Sequence, residues 1–121
     1  QHQDIFEVKQ KRFVLSDERF NLLGFVDLFD FDPRHRRAGV GIVIHKEKRG
    51  IGIGKKGVEL LDLHCQTNLN IHSLYANIAP ENKMSLRIFE KCGYQKVGVK
   101  KAWNFYQGVF HDEFLYQKIF N

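Results

Sequence analysis

Cysteine, proline and methionine are scarce in this chain of 121 residues, which has two, two and one of them. Cys65 and Cys92 lie far apart with no C-x-x-C pairing. That spacing argues against a disulfide framework and a cysteine-built zinc site, and both residues read as reduced core thiols of a cytoplasmic protein. His2, His35, His45, His64, His72 and His111 form no H-E-x-x-H or similar ligand spacing, so no metal is expected. No apolar run approaches the ~20 residues of a membrane helix. The opening QHQDIFEVKQ lacks the apolar centre and cleavage site of a signal peptide. Repeats, low-complexity tracts and Pro- or Ser-rich linkers are also missing, and residues 1–121 are read as a single domain with no membrane partner.

What is present is a globular composition, 43% hydrophobic and 27% charged. A net charge of +5 and a pI near 9.3 imply an anionic partner without identifying it. Between Arg34 and Lys56 lie Arg34, Arg36, Arg37, Lys46, Lys48, Arg49, Lys55 and Lys56, opposed only by Glu47. In sequence, positive charge gathers around the glycine-rich stretch HKEKRGIGIGKKG.

The stretches IFEVKQKRFVLS, NLLGFVDLFDF and AGVGIVIH are rich in Val, Ile, Leu and Phe and are separated by turn formers. They predict three antiparallel strands, with Asp32-Pro33 breaking the second from the third. Val58, Leu61 and Cys65 recur at helical spacing in KKGVELLDLHCQTNLN. IHSLYANIA is nearly all apolar, as an interior strand would be. Asn82 is placed to cap a second helix with Ser85, Ile88, Phe89 and Cys92 on one face, and Gly93 to end it. Two aromatic strands around Gln107-Gly108 close the chain. The fold class is therefore α/β, an α+β mixed sheet in the order β-β-β-α-β-α-β-β, with one parallel pair.

The glycines do not make a Walker A loop, because Arg49 stands at its first glycine position and Lys56 at its Ser/Thr position. Gly52, Gly54 and Gly57 match G-x-G-x-x-G formally, but HKEKR separates them from the strand and HSLYANI carries no acid for a ribose. What remains is a strand, a glycine loop and a helix N-terminus. Close-approaching amides and the helix dipole make that combination a cradle for pyrophosphate.

Arg49-Gly50-Ile51-Gly52-Ile53-Gly54 fits R/Q-x-x-G-x-G/A, and NIAPENKMSLRIFEKCGYQKVG resembles an N-x-x-[AS]…G-[FY] segment. Together they resemble the GNAT superfamily of N-acetyltransferases, in particular its ribosomal-protein alanine and spermidine subgroups. The resemblance implies the GNAT acyl-CoA N-acyltransferase fold, acetyl-CoA as donor and an amine as acceptor. It also implies that the chain starts where the family's second strand would be, lacking one strand and two helices, and that a homodimer could cover the face so uncovered.

By the same resemblance, Arg49, Gly50, Ile51, Gly52, Ile53, Gly54 and Lys55 would hold the pyrophosphate of CoA. The strand from Gly41 to His45, with Ile42, Val43 and Ile44, would pair with the pantetheine arm and supply an oxyanion donor. The sheet would splay between this strand and HSLYANI. Asn82 and Ser85 would contact the arm near the sulfur, and Phe89 occupies the position of the family's acidic tyrosine, without a proton to give. Ser85 is then the first substitute acid and Tyr94 the second. Gly39 stands where relatives carry a glutamate, which leaves Asp27, or His35, as the base. Trp103, Phe105 and Tyr106 read as core and hairpin packing. The excess positive charge weighs against a polyamine acceptor, which leaves a protein N-terminus, an amino acid or a small amine. The alternatives are a non-catalytic acyl-CoA-binding module and, lowest, a basic nucleic-acid-binding protein.

Overall fold

The computed structural model describes residues 10–48 and 52–121. Its strands are β1 (Lys11–Ser16), β2 (Leu22–Asp32), β3 (Arg37–Ile44), β4 (Ser73–Ile78), β5 (Gln95–Tyr106) and β6 (Val109–Ile119), and its α-helices are α1 (Ile53–Asn68) and α2 (Lys83–Lys91). They form one six-stranded sheet in the order β1-β2-β3-β4-β6-β5. Among the described residues only β3 and β4 run parallel; the other pairs are antiparallel. Element order and fold class agree with the sequence reading. The expected first strand is seen from Lys11, and its portion at 5–9 lies outside the described residues.

Alternation decides which side each strand residue faces. Val26 and Leu28 of β2, Ala38 and Val40 of β3, and Leu74, Ala76 and Ile78 of β4 are buried in one cluster with Val58, Leu61 and Cys65 of α1 and Phe89 of α2. Both helices therefore cover the same face. The residues between these, Phe25, Asp27 and Phe29 on β2, Gly39, Gly41 and Val43 on β3, and Tyr75 and Asn77 on β4, point to the other, open face.

The helix ends follow their local chemistry. The Asn82 side chain accepts the Ser85 N–H at 3.2 Å at the start of α2, and Gly93 takes φ +91° just past its end. Gln107 and Gly108, at φ +54° and +79°, make the tight turn between β5 and β6. Cys65 and Cys92 are buried free thiols, and burial pushes them up to about 12 and about 11 respectively.

Two features were not expected. Among the described residues, β4 covers only Phe114 to Ile119 of β6, so the rest of the β5–β6 hairpin projects past the sheet. Trp103 and Phe105 lie on that projection, 59% and 63% exposed, and are not core residues, although Phe105 does pack on Phe110 within the hairpin, with ring centroids 4.8 Å apart. Beneath α1, Asp62 is buried and accepts the Tyr94 hydroxyl at 2.7 Å and the Lys118 ammonium at 3.0 Å.

Candidate functional site

The sheet opens along its parallel joint. β3 and β4 are paired only at Arg37↔Ser73, Ala38↔Leu74 and Gly39↔Tyr75. Beyond this point β3 stays with β2 as far as Gly24↔Ile44, and β4 stays with β6 as far as Ile78↔Phe114. Each strand follows its own neighbour, and the two diverge. The edge of β3 from Val40 to Val43 is left facing a V-shaped gap whose apex is Gly39 and Tyr75.

At the mouth of the V is a cavity of about 280 Å³ lined by Ile44, Gly52–Lys55 and, from α2, Met84, Arg87, Ile88 and Lys91. Gly52 caps α1 in the left-handed region at φ +79°, and a Cβ there would project into open space. The first turn of α1 carries no acid, and its unpaired N–H groups lie at the positive end of the dipole. Gly54 is needed for a different reason: a Cβ on it would stand 2.6 Å from Ile88 Cδ1, so the glycine lets α2 approach α1. An extended anion fits this set of amides and cations. Arg49, Gly50 and Ile51, assigned to the same cradle, lie outside the described residues.

The basic stretch of the sequence does not converge here as a whole. Arg34, Arg36 and Arg37 stand at the opposite end of β3, roughly 25 Å away at the ~3.3 Å rise per strand residue. There Arg36 donates to the Asn70 backbone carbonyl at 2.8 Å. In their place α2 contributes Arg87 and Lys91, which the sequence reading missed. Met84, Arg87 and Lys91 fall at i, i+3 and i+7, a helical stripe beside the one read from Ser85, Ile88, Phe89 and Cys92.

The remaining candidates divide. Ile44 reaches the cavity; Ile42 and Ile44 point toward the helices and Val43 to the open face. Asn82 is the helix cap and Ser85 is buried one turn into α2. Phe89 is 1% exposed, edge-on to Tyr94 at 4.9 Å, and lies in the core, not among the cavity-lining residues. Burial, then Asp62, push the Tyr94 hydroxyl far above its ordinary value, so it keeps its proton and donates it in a hydrogen bond to Asp62. Tyr94 thus serves the core.

On the open face, Asp27 accepts both Arg12 Nε and Nη2, at 2.8 and 2.9 Å, beside a groove of about 530 Å³ shared with Phe29 and Asp30. His35 is exposed in the turn between β2 and β3. A Cβ at Gly39 would fall on the Phe29 ring, so that aromatic side chain fills the space a residue at 39 would use. Among the described residues no cluster of three or more His, Cys, Asp and Glu side chains could hold a metal ion, and no helix is long and apolar enough to cross a membrane.

A six-stranded mixed sheet that opens at its parallel joint, with a helix N-terminus at the mouth, is a ligand-holding α/β fold. Residues 4–95 match the family model of the acetyltransferase (GNAT) domain. The chain belongs to the GNAT acetyltransferase family. It is 31% identical over 108 residues to spermidine N(1)-acetyltransferase of Vibrio cholerae serotype O1, covering 89% of this chain and 62% of that protein. It is 30% identical over 94 residues to the Escherichia coli K12 spermidine N(1)-acetyltransferase, covering 78% and 50%. The crystal structure of spermidine N-acetyltransferase from Vibrio cholerae in complex with CoA and spermine superposes with a TM-score of 0.88 at 29% identity, over 95% of this chain and 68% of that one. The chain thus spans 50–68% of the length of these relatives.

Proposed function

We propose that this chain carries the acetyl-CoA site and the transfer apparatus of an N-acetyltransferase acting on a primary amine. The observation that carries the reading is the V between β3 and β4, with the α1 N-terminus, Arg87 and Lys91 at its mouth. The amides of Gly52 to Lys55, with Arg87 and Lys91, hold the pyrophosphate. The free edge of β3 from Val40 to Val43 pairs with the extended arm, and one of its N–H groups polarises the carbonyl to be attacked. Acetyl-CoA supplies an activated acyl group and a thiolate leaving group. In this reading Ser85, at the α2 N-terminus, protonates that thiolate. Direct attack by the amine requires no covalent enzyme intermediate.

The acceptor reaches the apex from the open face, where Asp30 offers a carboxylate beside Asp27, itself paired with Arg12. Although the net charge is positive, the acids at this entrance and the spermidine acetyltransferases among the relatives favour a polyamine. Self-association belongs to the same reading, supported by the exposed aromatic hairpin and by a relative solved as a dodecamer. One observation favours a second reading, a module that binds acyl-CoA without turning it over: Phe89 has no acidic proton and the side chain missing at Gly39 is replaced by a phenyl ring.

Calorimetric titration of acetyl-CoA into the chain and into Gly52→Asp, followed by thiol release with spermidine, spermine and an amino-acid amide, tests the reading. Binding lost in the variant and turnover with an amine support it. Binding without turnover supports the module, and no binding by the folded protein overturns both.

A further inference from the structure

The acetyl-transfer reading leaves the acceptor ammonium without a proton acceptor, because Gly39 has no side chain and both oxygens of Asp27 are engaged by Arg12. We propose that the Tyr75 hydroxyl, backed by the Asp30 carboxylate, takes that proton; the inference rests on the reading above. Tyr75 is the last residue of β4 paired with β3, so it stands at the apex where the two strands part, and its side chain is on the open face from which the acceptor enters. Its ring meets Phe29 edge to face, with centroids 6.0 Å apart and planes at 87°. Because Phe29 lies over Gly39, the two rings form an aromatic corner directly above the apex. Such a corner attracts a cation by its ring faces before any proton moves.

Asp30 sits where β2 loses register with β3, in the left-handed region at φ +51°. Its carboxylate is near enough to the Tyr75 hydroxyl for its negative charge to act on it. Arg37 of β3 is the opposing charge, and Lys100 of β5 lines the same groove, while β6 presents the uncharged Leu115 and Gln117. Burial first, then Asp30, raise the Tyr75 hydroxyl above its ordinary value. Tyr75 therefore acts as a neutral relay, not as a standing phenolate.

In the step, one N–H bond of the ammonium breaks and its proton forms a bond to Tyr75 Oη. At the same time the original Tyr75 O–H proton passes to an Asp30 carboxylate oxygen. Asp30 is exposed and returns the proton to water. The neutral amine keeps the electron pair with which it attacks the acyl carbon. Asp27, held by Arg12, shapes the entrance without taking part.

The test is the pH profile of thiol release from acetyl-CoA by the full chain, Tyr75→Phe and Asp30→Asn, with spermidine and, as a generic acceptor, n-butylamine. Calorimetry of acetyl-CoA and thermal melts are run on each. General-base removal reduces rates by ~10²–10⁴-fold. Tyr75→Phe should therefore lose at least tenfold in kcat near pH 7 with unchanged acetyl-CoA affinity. The gap should close toward pH 10, where the amine is already losing its own proton. Asp30→Asn should show the same pH-dependent gap, and the double variant should be no slower than the slower single. Wild-type kcat in Tyr75→Phe, or a loss that stays constant with pH, overturns the relay while the acetyl-transfer reading stands. Absence of both acetyl-CoA binding and turnover in the wild type overturns that reading and the relay with it.

Discussion

Lys118→Met should destabilise the protein in a way that depends on pH. The Lys118 ammonium lies 3.0 Å from Asp62 and also donates to the Cys92 carbonyl at 2.7 Å at the end of α2. Side-chain exposure is 26% for Lys118 and 5% for Asp62, so the variant leaves a carboxylate charge in the core with only the Tyr94 hydroxyl against it. Breaking a buried pair from one side costs about 3–5 kcal/mol, and the partial exposure of Lys118 brings this to about 2–3 kcal/mol. For a domain of this size, at roughly 2 cal/mol/K per residue of unfolding entropy, that lowers Tm by about 8–12 °C.

Burial already raises Asp62 above its ordinary value in the folded protein, against the pull of Tyr94 and Lys118. Loss of Lys118 raises it further. A carboxyl raised in the folded state destabilises when ionised, and the penalty disappears as pH falls through its folded pKa. The deficit should therefore be full well above the raised Asp62 value and shrink steadily as pH falls toward the ordinary carboxylate range. Differential scanning calorimetry from pH 8 to pH 4.5, with Asp62→Asn/Lys118→Met as the control, reads this directly. A Tm within about 2 °C of wild type at pH 8, or a deficit that does not change with pH, would show that Lys118 does not offset the Asp62 charge.

Gly39→Ala should cost about 1–3 kcal/mol by overpacking against the Phe29 ring, and adding Phe29→Leu should restore much of it; equal urea midpoints for wild type and the single variant would contradict the packing described. Asn82→Ala removes the acceptor of the Ser85 N–H and should lower stability by about 1 kcal/mol, read from chemical denaturation. Arg87→Ala should weaken CoA binding several-fold at low salt and leave pantetheine unaffected; an equal loss for both would place Arg87 outside the anion site.

Much of the architecture was legible because turn chemistry and periodicity agree with the tertiary structure. Asp32-Pro33, Asn82, Gly93 and Gln107-Gly108 punctuate the chain where the sequence says they should. The acetyltransferase motifs likewise located the first turn of α1 at the cavity. What escaped were relations between elements. Proximity along the chain misplaced Arg34, Arg36 and Arg37, because an intervening strand carries them to the far end of β3. Arg87 and Lys91 became visible as cavity cations only once α2 was placed beside α1. Trp103 and Phe105 have apolar side chains suited to a core, but β4 is too short to cover the hairpin that bears them. The Phe29 ring over Gly39 depends on pairing between β2 and β3 that no local pattern encodes.

The free edge of β3 has a further consequence. Val40-Gly41-Ile42-Val43 is uncharged, and three of its four residues are β-branched, so the segment that can accept an extended ligand is equally able to accept a strand from another molecule. Recognition and aggregation compete for one row of amides. Concentrated protein should therefore scatter light sooner on warming without CoA than with saturating CoA, and identical onset temperatures would show that this edge is not where molecules first adhere. The substrate, on this view, also acts as the protein's own guard against fibrils.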